Sequence, residues 1–467
     1  MAKKDLIRGV SRRSFLKSVG VGGAAFAAGS LPSLRPQAEP RFQAPSQQLS
    51  GDLRILQWSH FVPQYDKWFD PFTRVWGDMV GVNVSVDHVN LADIPGAAAA
   101  EIAAGEGHDL IEYLFPPSNL EPAVLDLTDV NEEADRRFGT RVDLTRRSTY
   151  NPTTGKYYGY CHSWVPDPAN YRRSMWAAAG YENGPATWAD LLEGGTRIRN
   201  EQGIQMGIGM SNELDSNLAV RAVLWAFGAT EQDANENVTI NSPETIAALE
   251  FMKNLYENCM TPEVFSWTAA SNNQLLVAGQ ASYILNSISA YRTAAEVDYN
   301  IADDIAFGPP LLGPTGIGLV SEHVIPIYII PNHARNPDAA KEFMLHLTAN
   351  SDSIVFNSKL YNFPTYFDLV PELTRDGGWL DLDPFGGRPV DKLAVLRDAP
   401  NWSTVIGHPG PANPAIGEVF NTFILVQMFS AVARGEMTPE QAAADAEAKM
   451  VPIFERWKAE GLMGGGA

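Results

Sequence analysis

From residue 53 onward, the chain alternates between segments with the two-residue period of β-strands and segments with the period of α-helices. The strand-like segments are residues 53–58, 82–89 and 109–115, and the helix-like segments between them are residues 65–76 and 94–104. This strand-helix-strand-helix-strand order favours a parallel sheet with helices on its faces. The pattern therefore predicts an α/β fold of the doubly wound kind.

The carboxyl ends of these strands are the expected place for a ligand site, because open α/β sheets bind ligands just outside those ends. The first strand ends at Trp58-Ser59-His60, and the third ends at Phe115-Pro116. We therefore expect both loops to face a cleft.

The rest of the chain is rich in helices with recognisable start signals. Residues typical of helix N-termini are Thr187, Ser242 with Pro243, Asn336 with Pro337, and Thr438. Short strand candidates lie between these helices at residues 281–285, 305–307 and 324–330. With 467 residues, the chain is long enough for two or three folded units.

The N-terminal segment differs in charge from the rest of the chain. Residues 1–35 carry seven Lys or Arg residues against one Asp. Within them, residues 11–17 precede a run rich in Gly and Ala, and together they resemble a twin-arginine export signal with Arg12 and Arg13 as the pair. The alternative is a basic cap on an ordinary helix, but the Gly-rich run would make a poor core helix. We expect residues 1–35 to be a signal peptide and residues 36–50 a flexible linker.

The charge balance narrows the range of partners. The 55 Asp and Glu residues outnumber the 35 Lys and Arg residues, so the formal net charge is -20. A surface of this sign is repelled by nucleic-acid phosphates and by anionic lipid. No apolar run after the signal has the length of a membrane-spanning helix. We therefore expect an exported, soluble monomer that does not bind nucleic acid.

Common catalytic signatures are absent from the sequence. It contains no Gly-x-Ser-x-Gly elbow, His-Glu-x-x-His motif, Walker A loop or Cys-x-x-Cys pair. The two cysteines, Cys161 and Cys259, could pair in an oxidising compartment, although a large core does not need a disulfide, so their pairing stays open. We expect a protein that is not an enzyme and uses no cofactor.

Several segments, in a fixed order, carry a recognisable family pattern. They are Tyr157-Tyr158-Gly159-Tyr160, residues 170–176 (Asn-Tyr-Arg-Arg-Ser-Met-Trp), Ala179-Gly180, residues 187–192 (Thr-Trp-Ala-Asp-Leu-Leu), residues 276–283 (Leu-Val-Ala-Gly-Gln-Ala-Ser-Tyr), residues 336–343 (Asn-Pro-Asp-Ala-Ala-Lys-Glu-Phe), and Gly435 with residues 438–442 (Thr-Pro-Glu-Gln-Ala). Together they resemble extracellular solute-binding proteins of ABC transporters, in the sugar-binding group that includes maltose-binding protein. The resemblance covers about residues 53–460.

The resemblance implies an α/β, two-lobed fold of the periplasmic-binding-protein-like type II class, with a hinge between the lobes. It implies an N-lobe of residues 51–160 plus 310–362 and a C-lobe of residues 161–309 plus 363–460. It also implies a periplasmic or extracellular protein that captures a mono- or oligosaccharide and delivers it to ABC transporter permease subunits. A ligand held by both lobes favours the closed form, because only that form contacts it from both sides.

A sugar site needs aromatic platforms for C–H faces and polar side chains for hydroxyl groups. The loops that we place around the cleft supply both kinds of group. The candidate ligand contacts are Trp58, Ser59, His60, Asp109, His162, Trp164, Asn286, Ser287, Ser321, Glu322, His323 and Trp402. Among them, Trp164 is the stacking candidate closest to the first crossing between the lobes.

Three other functions remain open at this point. His60, His162, Glu322 and His323 could together bind a metal or a metal chelate. An acidic cleft with Trp residues could instead bind a polyamine. An exported carbohydrate-acting enzyme would need two carboxylates at a fixed separation, for which Glu322 and Asp109 are the candidates.

Overall fold

The computed structural model describes residue 41 and residues 44–464. Its strands are β1 (Gly51–Trp58), β2 (Val82–Val89), β3 (Leu110–Tyr113), β4 (Tyr150–Asn151), β5 (Lys156–Tyr157), β6 (Tyr160–Cys161), β7 (Ser163–Trp164), β8 (Ala169–Arg172), β9 (Tyr283–Leu285), β10 (Ile305–Gly308), β11 (Val320–Ser321), β12 (Ile327–Ile329), β13 (Phe363–Pro364) and β14 (Ser403–Thr404). Arg12 and Arg13 of the expected signal lie outside the described residues.

The α-helices of the described part follow the same chain order. They are α1 (Gln64–Val80), α2 (Ile94–Ala104), α3 (Thr128–Phe138), α4 (Asp143–Arg147), α5 (Arg173–Ala178), α6 (Trp188–Gln202), α7 (Leu214–Ala226), α8 (Pro243–Cys259), α9 (Ser271–Val277), α10 (Ser289–Val297), α11 (Tyr299–Asp304), α12 (Pro337–Ala349), α13 (Ser351–Asn357), α14 (Pro371–Thr374), α15 (Ala399–Trp402), α16 (Pro414–Asn421), α17 (Ile424–Ala433) and α18 (Pro439–Ala459).

The first sheet has the strand order β2-β1-β3-β12-β6. β1 runs parallel to both of its neighbours, with Ile55 opposite Val86 on one side and Leu110 on the other. β12 pairs with β3 and β6 in the antiparallel sense. The predicted strand-helix-strand-helix-strand order is confirmed, and the carboxyl ends of β1 and β3 therefore lie at the same edge of the sheet.

Helices α1 and α12 build the apolar core against this sheet. α1 buries Phe69 and Trp76, and Trp76 meets Phe343 of α12 with ring centroids 5.2 Å apart. Burying each such side chain contributes about 1.5–3 kcal/mol to stability. α1 ends at Gly81, whose φ of 84° suits a residue without a Cβ. α12 begins at Pro337, as its start signal predicts.

The second sheet has the order β10-β8-β9 and is antiparallel throughout. The helices that follow β8 in the chain begin where their capping residues predict. Thr187 and Asp190 form a capping box at the start of α6, and Ser242 caps α8 by accepting from the Thr245 N–H. α7 is buried along its whole length, which makes it the central helix of this half of the molecule.

Chain segments that run between the two sheets lie side by side. β6 in the first sheet leads through β7 to β8 in the second, and β13 pairs with β7 so that Phe363 is opposite Trp164. Next to them, the His323 N–H donates to the Val165 carbonyl over 2.8 Å. A separate two-stranded pair joins β11 to β14. Motion of one sheet relative to the other would concentrate in these segments.

Three strands are shorter than the pattern predicts. β3 ends at Tyr113 rather than at residue 115, the segment 324–330 is a strand only over Ile327–Ile329, and the segment 281–285 is a strand only over Tyr283–Leu285. Proline explains the second difference, because Pro326 has no N–H to donate to a neighbouring strand.

Part of the segment expected to be a flexible linker is bound to the first half of the molecule. The Ser46 N–H donates to Glu342 Oε1 over 2.8 Å, and Asn336 Nδ2 donates to the Ser50 carbonyl over 2.9 Å. Leu49 is buried in the core cluster that includes Leu53. The expectation of a flexible linker therefore fails for residues 46–50.

Cys161 and Cys259 are both buried and free, which answers the pairing question that the sequence left open. Burial raises the pKa of the Cys161 thiol to about 12, so this thiol is not a reactive thiolate. In the described residues, no single helix combines the length and the apolar composition needed to cross a membrane; α16 and α17 pass that test only as a pair, with a bend of 43° between them.

Candidate functional site

The end of β1 places His60 in an aromatic cage. Its ring lies 4.7 Å from the Trp58 ring, 4.5 Å from Tyr65 and 5.0 Å from Tyr361, measured between centroids. Burial lowers the pKa of His60 to about 4, so the ring is neutral at physiological pH. His60 Nδ1 accepts from the Val62 N–H over 2.9 Å, so the neutral ring carries its proton on Nε2.

A chain of buried hydrogen bonds starts at that proton, and we call it the His60 chain. His60 Nε2 donates to Asn362 Oδ1 over 3.0 Å, and Asn362 Nδ2 donates to Ser163 Oγ over 3.0 Å. The Ser163 hydroxyl then donates to His162 Nδ1 over 3.2 Å, and His162 Nε2 donates to Glu112 Oε1 over 2.8 Å. Each donor thus meets an acceptor. The His60 chain ties the ends of β1 and β3 to both crossing segments.

His323 holds a second group of buried side chains together. Its Nδ1 lies 3.2 Å from Asp167 Oδ1, and its Nε2 lies 3.9 Å from Asp215 Oδ1. Asp215 Oδ2 accepts from Asn272 Nδ2 over 2.7 Å and from Asn286 Nδ2 over 2.9 Å. We call Asp167, Asp215, Asn272, Asn286 and His323 the His323 cluster. It joins a crossing segment to α7, α9 and the loop after β9.

The carboxyl groups around the His323 cluster have unusual affinities for protons. Burial raises the pKa of Asp215 to about 6 and that of the neighbouring Glu213 to about 8. Burial opposes the charged form of His323, but the Asp167 hydrogen bond and the Asp215 charge outweigh it and raise the pKa of the ring. Burial also raises the pKa of Asp167. The cluster therefore places an imidazole, whose protonated form its neighbours favour, between two carboxyl groups.

A third group of polar side chains lies where β11 meets β14, with Ser321 opposite Thr404. Ser321 Oγ, Glu322 Oε2, Trp402 Nε1 and Ser403 Oγ are all buried without a hydrogen-bond partner in the protein. Burial raises the pKa of Glu322 to about 8, and the charge of Arg147 offsets this only in part. A mostly protonated Glu322 both donates and accepts hydrogen bonds at neutral pH.

Tyr361 connects the His60 chain and the His323 cluster. Its ring contacts His60 edge-on at 5.0 Å, and its centroid lies 6.4 Å from that of His323 on another side. Through these contacts, the crossing segment after α13 packs between the loop of His60 and the loop of His323, which are far apart in the sequence.

Unpartnered buried polar atoms recur in and beside these groups. Besides those at β11 and β14, they include Asp215 Oδ1, His323 Nε2, Asn170 Oδ1 and Asn273 Oδ1. Native proteins rarely leave such atoms without a partner, because each costs about 1–3 kcal/mol. A molecule that offers many donors and acceptors at once would satisfy them together.

Two of the expected contact residues already have protein partners. Asp109 lies at the amino end of β3, where its carboxylate accepts from the backbone N–H groups of Arg54, Arg335 and Asn336 at 2.6–3.0 Å. Trp164 donates its indole N–H to the Pro364 carbonyl over 3.2 Å and packs edge-on against Phe363. These contacts favour a structural role for Asp109 and Trp164, and their contact with a ligand stays a prediction.

The other expected contacts fall at or near the carboxyl ends of β1 and β3, the crossing segments, or the loop after β9. Ser59 is exposed and donates its N–H to the Val89 carbonyl. Ser287 is buried, and its hydroxyl reaches Asn286 Oδ1 at 3.2 Å. We call the His60 chain, the His323 cluster and the group where β11 meets β14 the junction. Of the expected contacts it contains His60, His162, Asn286, Ser321, Glu322, His323 and Trp402; Trp58 packs on His60, Ser287 bonds to Asn286, and Ser59 precedes His60 in the chain.

The residues in or beside this junction that sequence reasoning missed include Glu112, Asp167, Asp215, Tyr361 and Asn362. Asp215 had a usable signal, because Glu213 is the capping residue of the long apolar helix α7 and Asp215 is an acidic residue in its first turn. The others have no local signal, since their partners are distant in the sequence.

The structure also places the residues named for two of the alternatives. Within the described ranges, no group of three or more His, Cys, Asp or Glu residues is placed to hold a metal ion. Glu322 and Asp109 lie near opposite ends of β3, because Ile325 pairs with Leu114 just after β3, whereas Asp109 immediately precedes it. They therefore do not form the carboxylate pair of a glycoside-cleaving enzyme.

Residues 67–371 match the sequence profile of a family described as bacterial extracellular solute-binding protein. A protein of Brucella abortus (strain 2308) named as a binding protein is 19% identical over 282 residues. That match covers 60% of this chain and 60% of the relative, so the chain spans about 60% of the relative's length.

Solved structures of two-lobed binding proteins are similar in fold. An oligosaccharide periplasmic-binding protein of Synechococcus sp. MITs9220 in complex with zinc has a TM-score of 0.74 at 16% identity, covering 86% of this chain and 99% of that one. Maltose-bound MalE3 of T. maritima has a TM-score of 0.71 at 18% identity, covering 86% and 100%. A sugar transporter of Arthrobacter chlorophenolicus A6 with bound laminaribiose has a TM-score of 0.72 at 15% identity, covering 86% and 99%. The expected two-lobed α/β fold is confirmed.

Proposed function

This chain belongs to the bacterial extracellular solute-binding protein family, and we propose that it captures a mono- or oligosaccharide between its two lobes and delivers it to the permease subunits of an ABC transporter. The family places the protein in the periplasm or outside the cell. The ligand leaves the protein chemically unchanged, and the protein acts as a monomer without a cofactor. Several structurally similar proteins were solved with sugars, which supports a carbohydrate as the ligand.

The observation that carries this proposal is the mixture of unpartnered polar atoms at the junction of the two sheets. It includes a donor, Trp402 Nε1, acceptors such as Asp215 Oδ1, and His323 Nε2, which becomes a donor in the protonated form that the neighbouring carboxyl groups favour. Sugar hydroxyl groups both donate and accept, whereas a polyamine only donates from its charged nitrogens. The mixture therefore favours a carbohydrate over a polyamine.

The proposed mechanism is a hinge motion. We assign residues 51–160 plus 310–362 to the N-lobe and residues 161–309 plus 363–460 to the C-lobe. The Leu312 N–H donates to the Ala186 carbonyl, and the Thr315 hydroxyl donates to the Ala226 carbonyl. Because both acceptors belong to the C-lobe, these bonds favour a crossing into the N-lobe somewhat after residue 310. A sugar that contacts the His323 cluster from one side and Trp58 and His60 from the other would stabilise the closed form.

Export by the twin-arginine route is part of the same proposal. It rests on Arg12 and Arg13 within residues 11–17. Replacing both arginines by lysine should leave the full-length chain in the cytoplasm, as measured by fractionation, whereas a chain carried by another route would still be exported.

A thermal-shift screen tests the proposed function. The panel contains mono- and oligosaccharides, polyols, polyamines and divalent metal ions, each added to the mature chain. We expect at least one sugar to raise the melting temperature, because a ligand at about 100 times its Kd stabilises the folded state by about 2.7 kcal/mol. Product analysis should recover the same sugar unaltered.

Other results of the screen would contradict the proposal. Stabilisation only by polyamines would show an amine-binding protein. Stabilisation by metal ions that a chelator abolishes would show a metal-binding protein. Turnover of the sugar would show an enzyme.

A further inference from the structure

Two buried polar atoms of the His323 cluster face each other across a gap. His323 Nε2 and Asp215 Oδ1 lie 3.9 Å apart, which is too far for a hydrogen bond. Neither atom has another hydrogen-bond partner in the protein. His323 is 1% exposed and Asp215 is 6% exposed, so solvent reaches neither side chain freely.

Both side chains are held in place by hydrogen bonds to their other polar atoms. Asp167 fixes the imidazole through Nδ1, and the amide groups of Asn272 and Asn286 fix the carboxylate through Oδ2. Asn286 Nδ2 also lies 3.1 Å from Asn272 Oδ1, so the two amides orient each other. Neither His323 nor Asp215 can rotate to use its free atom elsewhere without breaking these contacts.

The two free atoms differ in chemistry. His323 Nδ1 is bonded to Asp167 Oδ1; against the effect of burial, this hydrogen bond and the charge of Asp215 raise the pKa of the ring, which favours the doubly protonated form in which Nε2 is a donor. Asp215 Oδ1 is an acceptor whenever the carboxyl group is ionised. Because the two atoms are 3.9 Å apart, a single oxygen atom can lie about 2.8 Å from both of them, which is hydrogen-bond distance.

We propose that the gap between His323 and Asp215 holds one hydroxyl group of a neutral sugar, which accepts from His323 Nε2 and donates to Asp215 Oδ1. The inference rests on the proposed function and assigns the residues that determine ligand specificity. A methyl ether lacks the proton for Asp215, a carboxylate is repelled by it, and an ammonium group lacks the lone pair for His323. A sugar without the hydroxyl leaves both groups unpaired, so the site discriminates against it strongly.

The first test is Asp215→Asn, a substitution that preserves shape. The two neighbouring amides donate to the inner oxygen, so the new side chain turns its own oxygen toward them and its NH2 toward His323. A donor then replaces the acceptor in the gap. We expect the affinity for the sugar that stabilises the wild-type chain most to fall about 10- to 100-fold, measured by calorimetry.

The second test links the residue to a ligand atom. Monodeoxy forms of the same sugar are titrated into the wild-type chain and into Asp215→Asn. One deoxy form should bind the wild type about 10- to 100-fold more weakly. Asp215→Asn should bind that deoxy form only slightly more weakly than it binds the intact sugar, because the Asp215 side chain and the missing hydroxyl act through one hydrogen bond. His323→Gln, which keeps a donor close to the Nε2 position, should lose less affinity than His323→Ala.

Asp87→Asn is the matched control. Asp87 is largely exposed on β2, where it lies 3.0 Å from His108 Nε2, and the same change of carboxylate to amide there should leave affinity unchanged. Circular dichroism and the melting temperature of each ligand-free variant report whether it folds.

The outcomes separate the inference from the function on which it rests. If no sugar binds the wild-type chain, the proposed function fails and the inference falls with it. If a sugar binds the wild type and folded Asp215→Asn equally well, the gap holds only ordered water. The inference is then wrong, while the proposed function stands. The inference is also wrong if, for every deoxy sugar, the loss of affinity from Asp215→Asn and the loss from the missing hydroxyl simply add.

Discussion

The His60 chain and the His323 cluster are two buried polar groups that differ in how far the protein satisfies them. In the His60 chain, a neutral imidazole begins a series in which each donor meets an acceptor at 2.8–3.2 Å, and the atom left without a partner is Glu112 Oε2 at the far end of the series. In the His323 cluster, the imidazole and the Asp215 carboxyl group lie 3.9 Å apart, and the nearest atom of each has no hydrogen-bond partner. Continuous hydrogen-bond networks stiffen a structure, whereas groups left unpaired are available to a ligand. We therefore assign the first group to holding the hinge segments and the second to binding.

The largest expected effect is on stability, from Asn362→Leu. This change breaks the His60 chain in the middle, leaves the His60 Nε2 proton buried without an acceptor, and removes the donor to Ser163 Oγ, which keeps only its bond to His162. We expect the free energy of unfolding to fall by about 3–5 kcal/mol, measured by urea denaturation. Asn90→Ala, a change of an exposed asparagine, is the control and should cost less than about 0.5 kcal/mol. A loss no larger than that of the control would show that the His60 chain does not hold the hinge segments.

The pH dependence of stability should separate the β11–β14 junction from the His60 chain. Burial raises the folded-state pKa of Glu322 from 4.5 to about 8. The folded form therefore binds more protons between these values, and stability is lost as the pH rises from about 4.5 to about 8. Glu322→Gln does not titrate, so it should remove most of that loss, measured by denaturation at several pH values. An unchanged profile would mean that Glu322 is not kept protonated by burial.

The opposite sign applies to His60. Burial lowers its folded-state pKa from 6.5 to about 4, so the unfolded form binds more protons between these values. Stability is then lost as the pH falls from about 6.5 to about 4, by about 3 kcal/mol. His60→Gln keeps a donor for Asn362 but does not titrate, so it should lose less stability than the wild type as the pH falls. The pH ranges of the Glu322 and His60 effects overlap between 4.5 and 6.5. If the variant loses as much stability at acid pH as the wild type, His60 is not the source of the loss.

The smallest effects compare two tryptophans. Trp164 donates to Pro364, whereas Trp402 Nε1 is unpartnered beside Ser403. Trp164→Phe should lower stability by about 1 kcal/mol and leave sugar affinity unchanged. Trp402→Phe should lower sugar affinity by about 1 kcal/mol, measured by calorimetry. The reverse pattern would return Trp164 to the ligand contacts and remove Trp402.

Much of the fold could be predicted from the sequence because its signals are local. The alternation of strands and helices and the caps at Thr187 and Thr438 depend on residues a few positions apart. The site was harder to predict because its roles depend on distant partners. Asp215 meets Asn286 across 71 residues, and Trp164 meets Pro364 across 200. A residue type and a loop position do not reveal whether a polar atom is already paired.

The central claim is that two lobes close on a sugar and release it unchanged. Small-angle X-ray scattering of the mature chain, with and without the sugar that stabilises it most, tests this most directly. The account predicts a smaller radius of gyration with the sugar, reversed on its removal, and recovery of the sugar intact. An identical radius in both states, or a sugar recovered cleaved, would contradict it.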